Sequence, residues 1–263
     1  MIHKRLLKAA ANSGPVVGQI EYLNYSGTDA AYTFTVPAGV YSISAVCVGG
    51  GGAVYTGSYG SSGGGGGELR YTNNISVTPG ATITVQVGKA GSGQTGYPSA
   101  GGQSFVGAHC IANGANAQIG GSGGTGDGGG NGGTGGNSGG FYGAGGGGAG
   151  GYSGAGGTGG VGGANNGTSG TGGAGGGGFG DTYAGNNSGG GVGLYGQGAN
   201  GAGGDASTPR GGTGSPSGTA CGYGGRGSTA RDNTHGYNGG PGGVRIIWPG
   251  DERQFPSTRT EDE

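Results

Sequence analysis

The sequence has little of what globular domains normally use to build a core. Only 30% of its 263 residues are hydrophobic and 9% are charged, with one methionine, one tryptophan and 9 prolines. Disordered chains are usually enriched in charge and proline, so this composition differs from theirs as well. What replaces these residues is glycine, at 85 positions. Glycine loses the most backbone freedom on folding, and composition alone therefore leaves order and disorder both open.

Other absences exclude whole classes of function. The net charge is −1, and no cluster of Lys and Arg is present of the kind that binds phosphate backbones, so we expect no nucleic-acid binding. No run of about 18 apolar residues occurs, so we expect no membrane insertion. The three cysteines lack CxxC spacing and are odd in number, which argues against a disulfide framework. The apolar run Leu6-Leu7 is too short for a signal peptide, so we expect synthesis in a reducing compartment, the cytoplasm.

The sequence contains no motif for catalysis, and its one match to a cofactor-binding motif is expected by chance at this density of glycine. Gly121, Gly123 and Gly126 have the spacing of a dinucleotide-binding loop, but no strand and helix surround them. His109 and Cys110 would face opposite sides of a predicted strand, so they do not form a metal pair. No nucleophile motif is present. We therefore expect no enzyme, no cofactor, no catalytic residue and no metal site.

The chain divides into four zones. Residues 1–19 form an N-terminal attachment segment, in which a short amphipathic helix would present Ile2, Leu6 and Leu7 to another protein. Residues 20–119 form a β-rich cap, residues 120–243 are roughly half glycine, and residues 244–263 contain a closing strand and an acidic tail. A short helix is marginal alone, so we expect the first segment to need a partner surface.

The predicted strands follow a period of two in their apolar residues. The stretch "YTFTVPAGVYSISAVCV" (32–48) alternates on both sides of a turn at 37–39, and "ELRYTNNISVTPGATITVQVG" (68–88) does so around a turn at 78–80. Each predicts two strands, with Thr82 and Thr84 on a wet face opposite Val85 and Val87. "SFVGAHCIANG" (104–114) predicts one further strand. "GVRIIWPG" (243–250) predicts a strand that returns the chain to the cap after the glycine-rich zone.

Glycine runs can fold without a side-chain core. They can form an extended left-handed helix with three residues per turn and no internal hydrogen bonds, the polyglycine-II form. Its outward-pointing amides and carbonyls bond neighbouring helices, provided that no Cβ blocks the approach. The predicted fold is thus mostly β: an antiparallel β cap, a polyglycine-II helix sandwich and a short N-terminal attachment segment.

Three phrases resemble a known family. "YTFTVPAGVYSISAVCVGGGG", "GGGGGELRYTNNISVTPGATITVQVG" and "GGPGGVRIIWPG" are similar to the glycine-rich domain of tailed-bacteriophage tail and fibre proteins. The 120–243 zone resembles the polyglycine-II sandwich of the tip adhesins of T-even-type phages. The resemblance implies a virion tail protein whose partners are other tail or fibre proteins and a bacterial surface receptor, either an outer-membrane protein or a polysaccharide. The oligomeric state, a homo-oligomer included, stays open.

Receptor contact is expected in segments between glycine runs. Tyrosine beside Ser, Gly and Asn is typical of adaptable binding loops, and two segments, 181–188 and 229–238, combine Tyr with Asp and Asn. The candidate receptor-binding residues are Tyr183, Asn186, Asn187, Arg231, Asp232, Asn233, His235 and Tyr237. Tyr152 and Phe179 are expected instead to replace missing core.

Two other functions stay open beside the adhesin. One is a structural or decoration protein of the virion without receptor binding. The other is an ice-binding or cell-surface glycine-rich protein. Ice binding would require a flat face of regularly spaced small residues, and the irregular segment lengths argue against it.

Overall fold

The computed structural model describes residues 16–53, 55–57, 60–93, 99–137, 143–163, 165–180, 187–214, 222–225 and 238–256. The predicted helix with Ile2, Leu6 and Leu7 lies outside these ranges. The described residues contain no α-helix or 3₁₀-helix and are built from strands and extended segments. The strands are β1 (Gly18–Leu23), β2 (Ala30–Thr35), β3 (Ser42–Val48), β4 (Tyr55–Gly57), β5 (Gly60–Ser62), β6 (Leu69–Ser76), β7 (Thr82–Val87), β8 (Ser104–Val106), β9 (Cys110–Ala112), β10 (Gly128–Gly130) and β11 (Gly243–Trp248). The mostly β fold class is thereby confirmed.

Two antiparallel sheets form the cap. The first has the order β1-β11-β3-β6-β10 and the second the order β2-β7-β8-β9, while β4 and β5 pair separately. β11 lies between β1 and β3, so that Ile246 is opposite both Ile20 and Ala45. The chain therefore leaves the first sheet, builds the glycine-rich zone and returns to the same sheet, as the sequence predicts.

Both predicted turns carry the chain from one sheet to the other. The turn at 37–39 connects β2 to β3, and the turn at 78–80 connects β6 to β7, while the actual partners are β2 with β7 and β3 with β6. Gly39 and Gly80 have φ values of 80° and 83°, in the left-handed region that glycine enters without steric cost. The predicted strands are confirmed, and each turn joins two strands that belong to different sheets.

Stretch 104–114 differs from its prediction. It forms two short strands, β8 and β9, rather than one, and they pair with each other as a hairpin. Gly107 has a φ of 52° at the start of the turn, and His109 is exposed in it. A glycine inside a strand pattern is a common sign of such a turn. β1 begins at Gly18, two residues before the predicted start of the β-rich cap, and the missing Cβ leaves room for the Trp248 ring, which would lie 2.4 Å from a Cβ on Gly18.

An apolar core fills the space between the two sheets. Val85 and Val87 are buried while Thr82 and Thr84 are exposed, which confirms the predicted wet face. Cys47 and Cys110 are buried here as free thiols, and burial raises the pKa of Cys47. They act as small apolar residues, as expected. The core consists of Ile20, Phe34, Val36, Val40, Ile43, Ala45, Cys47, Ile75, Val85, Val87, Val106, Cys110, Ala112, Val244, Ile246 and Trp248.

The glycine segments pack as extended helices with a three-residue period. The amides of Gly146, Gly147 and Gly148 donate to the carbonyls of Asn187, Gly64 and Gly157, which lie in three different segments. One turn later the amides of residues 149, 150 and 151 donate to residues 190, 67 and 154. Neighbouring segments are both antiparallel and parallel. The amides of 133 and 136 donate to the carbonyls of 148 and 145, which makes those two segments antiparallel, whereas the amides of 157 and 160 donate to the carbonyls of 175 and 178, which makes those two parallel. This parallel and antiparallel arrangement, called the glycine stack below, is the predicted sandwich.

A second core joins the first sheet to the glycine stack. Val46, Val48 and Ile247 point away from the second sheet and pack against Tyr152 and Leu194. Tyr152 is 1% exposed and Phe179 is 5% exposed. The expectation that these two aromatic residues replace missing core is therefore confirmed.

Buried tyrosines predict a loss of stability in alkali. Burial raises the pKa of Tyr22 to about 12, and it also raises the pKa of Tyr152 and Tyr223. The unfolded chain releases these protons near a pKa of about 10. The stability linked to the neutral phenols is therefore complete below about pH 10 and declines as the pH rises toward 12.

We expect Tyr22→Phe to make this decline shallower. The Phe side chain keeps the ring packing on Tyr32, whose centroid lies 5.1 Å away, and removes the titrating group. Urea denaturation at several values between pH 8 and pH 11.5 measures the slope, with the exposed Tyr41→Phe as the matched control. An unchanged slope for Tyr22→Phe would contradict the assignment.

Candidate functional site

Seven of the eight predicted receptor-binding residues lie outside the described ranges. They are Tyr183, Asn186, Arg231, Asp232, Asn233, His235 and Tyr237. Their role in binding stays a prediction.

Asn187 is the described member of that set, and its location differs from an exposed loop. It is 0% exposed, its carbonyl accepts a hydrogen bond from the Gly146 amide at 2.8 Å, and its side-chain amide has no hydrogen-bond partner. Residue 187 already follows the three-residue period, because 187 and 190 are bonded by 146 and 149. The glycine stack thus begins two residues earlier than the loop segment 181–188 allows.

A cavity of about 400 Å³ opens where four segments of the chain meet. The predicted receptor-contact segments 181–188 and 229–238 end at Ser188 and directly before Gly239, and both of these residues line the cavity. The cavity is lined by Ser188, Gly189, Gly190, Gly191, Arg210, Gly211, Thr213, Gly222, Gly239, Gly240 and Pro241. We call it the Arg210 cavity. Its volume lies in the usual range of small-molecule sites, about 300–1,000 Å³.

The walls of the Arg210 cavity are held by backbone hydrogen bonds. The Gly190 amide donates to the Gly176 carbonyl at 2.8 Å, the Gly211 amide to the Ser188 carbonyl at 2.9 Å, and the Gly239 amide to the Gly91 carbonyl at 2.8 Å. Gly222 differs from its neighbours, since a Cβ built on it meets nothing within 4 Å. The cavity is therefore preformed on three sides and open at Gly222.

Arg210 supplies the charge of this cavity. It is exposed, and within the described part of the chain no ion pair or hydrogen bond engages its side chain. The contrast is with Arg253, which donates to the Trp248 carbonyl at 2.8 Å, and with Arg245, whose guanidinium lies 4.1 Å from the centroid of the Tyr195 ring. Those two cations stabilise the fold, whereas Arg210 is available to a ligand.

Unused hydrogen-bonding groups surround Arg210. Among the residues that the structure describes, the hydroxyls of Ser188 and Thr213 have no partner, and no acceptor lies opposite the amides of Gly191 and Thr213. Among the described residues, no acidic side chain belongs to the lining. The cavity therefore offers one positive charge with several donors around it.

Sequence reasoning missed Arg210. It stands alone among small residues in "TPRGG" (208–212), and a single cation is a weak signal without knowledge of what the glycine stack brings near it. The described ranges hold no group of three His, Cys, Asp or Glu side chains suited to a metal ion. They also hold no helix long and apolar enough to cross a membrane.

Comparison with known protein families gives a match that covers most of the chain. Residues 27–249 match the model of a family described as a glycine-rich domain. No curated protein matches the chain. The matched range includes β2 to β11, the described glycine segments and every residue of the Arg210 cavity.

Proposed function

We propose, from the premise that this chain belongs to the glycine-rich domain family, that it is a tail or fibre-tip protein of a bacteriophage virion and acts as a receptor-binding adhesin. The resemblance of its strand phrases and glycine runs to phage tail proteins supports the virion location. The proposed partners are other tail or fibre proteins and a receptor on the bacterial surface.

One observation carries the adhesin proposal: the glycine stack has no room for side chains. A Cβ on Gly148 would lie 2.0 Å from the Gly175 carbonyl oxygen, and one on Gly145 would lie 2.0 Å from that of Gly178. Real Cβ atoms do not come so near a carbonyl oxygen, so side chains are excluded from these inward-facing positions and are confined to the outward-facing rows of the stack and to the connections between segments. A rigid scaffold with variable connections is the usual design of a recognition protein.

The position of those connections adds support. Along the chain, segments 181–186 and 226–237 end two residues before Ser188 and Gly239, which line the Arg210 cavity. Both segments contain a tyrosine with polar neighbours. The proposed receptor-binding surface therefore consists of the residues from these segments together with that cavity.

A regular face favours ice binding as the second candidate function. Asn131, Thr134 and Asn137 are exposed at every third residue, and a parallel segment beside them exposes Thr158 and Val161 in the same period. The carbonyls of 131, 134 and 137 accept hydrogen bonds from the amides of 156, 159 and 162, which fixes the register. Along each row, side chains recur about every 9 Å. Ice growth in a solution of the purified protein separates this candidate from the adhesin.

We expect alanine at Tyr183 and Tyr237 together to weaken binding to bacteria roughly 30-fold or more, because truncating a central interface tyrosine typically costs about 2 kcal/mol or more. Labelled wild-type protein is first tested on a panel of bacterial strains, and the affinity of the variant is measured on a strain that it decorates. Tyr41→Ala is the control, since Tyr41 is 70% exposed on the cap. Unchanged binding in a folded double variant, or no decorated strain, would argue against the proposal.

A further inference from the structure

The Arg210 cavity has the properties of a ligand site rather than of a packing defect. Its walls are fixed by hydrogen bonds of the glycine stack, and it opens to solvent at Gly222, where a Cβ would meet nothing within 4 Å. A polar cavity of this size holds water or a polar ligand, since empty cavities are apolar.

The charge of the lining selects an anion. Arg210 is the single charged side chain among the described lining residues, and no carboxylate in the described part of the chain neutralises it. Guanidinium groups bind phosphate and carboxylate through two parallel hydrogen bonds. The amides of Gly191 and Thr213 add donors that an anion or a hydroxyl can accept from.

The rest of the lining selects a polyhydroxylated ligand. The side chains besides Arg210 are the hydroxyls of Ser188 and Thr213 and the ring of Pro241, with glycine at the remaining positions. Sites for apolar ligands are lined mainly by large apolar and aromatic side chains, and among the described lining residues Pro241 is the only apolar one besides glycine. Backbone carbonyls and serine or threonine hydroxyls can instead exchange hydrogen bonds with the hydroxyls of a sugar.

We infer that the Arg210 cavity binds a sugar that carries an anionic group, either phosphate or carboxylate. The anionic group lies against the Arg210 guanidinium, and the sugar hydroxyls bond Ser188, Thr213 and the free amides. If the protein is an adhesin, the sugar belongs to a polysaccharide of the bacterial surface. Only this source of the sugar rests on the proposed function.

The test uses the full chain and three sugars: glucose 6-phosphate, glucuronate and glucose. Amide chemical shifts in nuclear magnetic resonance spectra follow each titration. We expect one or both anionic sugars to shift the amides of Gly190, Gly191 and Gly239, and to do so less as salt screens the charge. Comparing the shifts caused by glucose 6-phosphate with those caused by glucuronate identifies whether the site prefers phosphate or carboxylate. Equal responses to all three sugars, or no response, would overturn the inference.

Three variants and two controls locate the site. Arg210→Ala should weaken binding about tenfold or more, because a hydrogen bond to a charged group is lost, and Arg210→Lys should weaken it less. Gly222→Leu should block the opening. The matched controls are Gly27→Leu, where a Cβ also meets nothing within 4 Å, and Lys89→Ala, which removes a charge outside the lining. Binding that survives Arg210→Ala and Gly222→Leu in folded protein would overturn the inference.

Binding of labelled protein to bacteria separates this inference from the proposed function. If wild-type protein decorates bacteria but binds none of the sugars, the inference fails and the adhesin proposal stands. If an anionic sugar binds at Arg210 but no strain is decorated, the inference stands and the adhesin proposal fails.

Discussion

Replacing Gly148 with alanine is expected to lower the free energy of unfolding by about 3 kcal/mol or more. The added Cβ would lie 2.0 Å from the carbonyl oxygen of Gly175 and 2.4 Å from its carbonyl carbon. The backbone cannot move aside, because the Gly148 amide donates to Gly157 at 2.9 Å and the Gly148 carbonyl accepts from Gly133 at 2.8 Å. Relief of the contact would break hydrogen bonds on the other two sides.

Two other glycines provide matched controls for this substitution. A Cβ on Gly27 or Gly222 meets nothing within 4 Å, and neither residue has a positive φ. Alanine there should leave stability unchanged or raise it by about 0.4–1 kcal/mol, because it restricts the unfolded chain. Urea denaturation of the three variants measures the differences. Equal effects at all three positions would mean that the glycine stack yields to a methyl group.

Replacing Tyr152 with alanine is expected to cost about 3–5 kcal/mol of stability. Its ring stacks on Phe255 with centroids 6.0 Å apart, and lies 6.1 Å from the ring of Tyr71. Its hydroxyl donates to the Gly193 carbonyl at 3.0 Å and accepts from the Gly196 amide at 3.1 Å. The side chain thus joins the first sheet to the glycine stack and orders the segment from 193 to 196.

The phenylalanine variant separates the two contributions of Tyr152. Tyr152→Phe keeps the ring and leaves two buried backbone groups without a partner, at a cost of about 1–3 kcal/mol. Tyr41→Ala, on an exposed tyrosine of the cap, should change stability by less than about 0.5 kcal/mol. Thermal and urea denaturation measure all three variants. A Tyr152→Ala variant that keeps its stability but loses binding to bacteria would show that Tyr152 contacts a receptor and is not core.

Local patterns in the sequence are sufficient to predict the strands but not their partners. The alternation of Thr82, Thr84, Val85 and Val87 reports which face of β7 is wet, because a period of two is a property of one strand. It carries no information about which strand lies alongside. The sequence therefore predicts the turns at 37–39 and 78–80, but it does not predict that each turn carries the chain from one sheet to the other.

The glycine stack shows the same limit more strongly. A three-residue period and the absence of Cβ atoms follow from the composition, and both are observed. The contacts between segments follow from backbone hydrogen bonds alone, which any glycine can make. Nothing in "TPRGG" therefore indicates that Arg210 faces residues 188–191 and 239–241, and nothing before Ser188 indicates that Asn187 is buried.

The three-residue period also restricts how such a chain can change in length. Thr134 is exposed, but a Cβ one position earlier, at Gly133, would lie 2.2 Å from the Gly157 carbonyl, and one at Gly132 would lie 1.9 Å from the Gly66 carbonyl. Deleting one residue between Asn131 and Thr134 would move the threonine side chain to an inward-facing position, where it would collide with a neighbouring carbonyl. Within the stack, insertions and deletions are therefore tolerated as whole triplets, whereas connections outside it can gain or lose any number of residues.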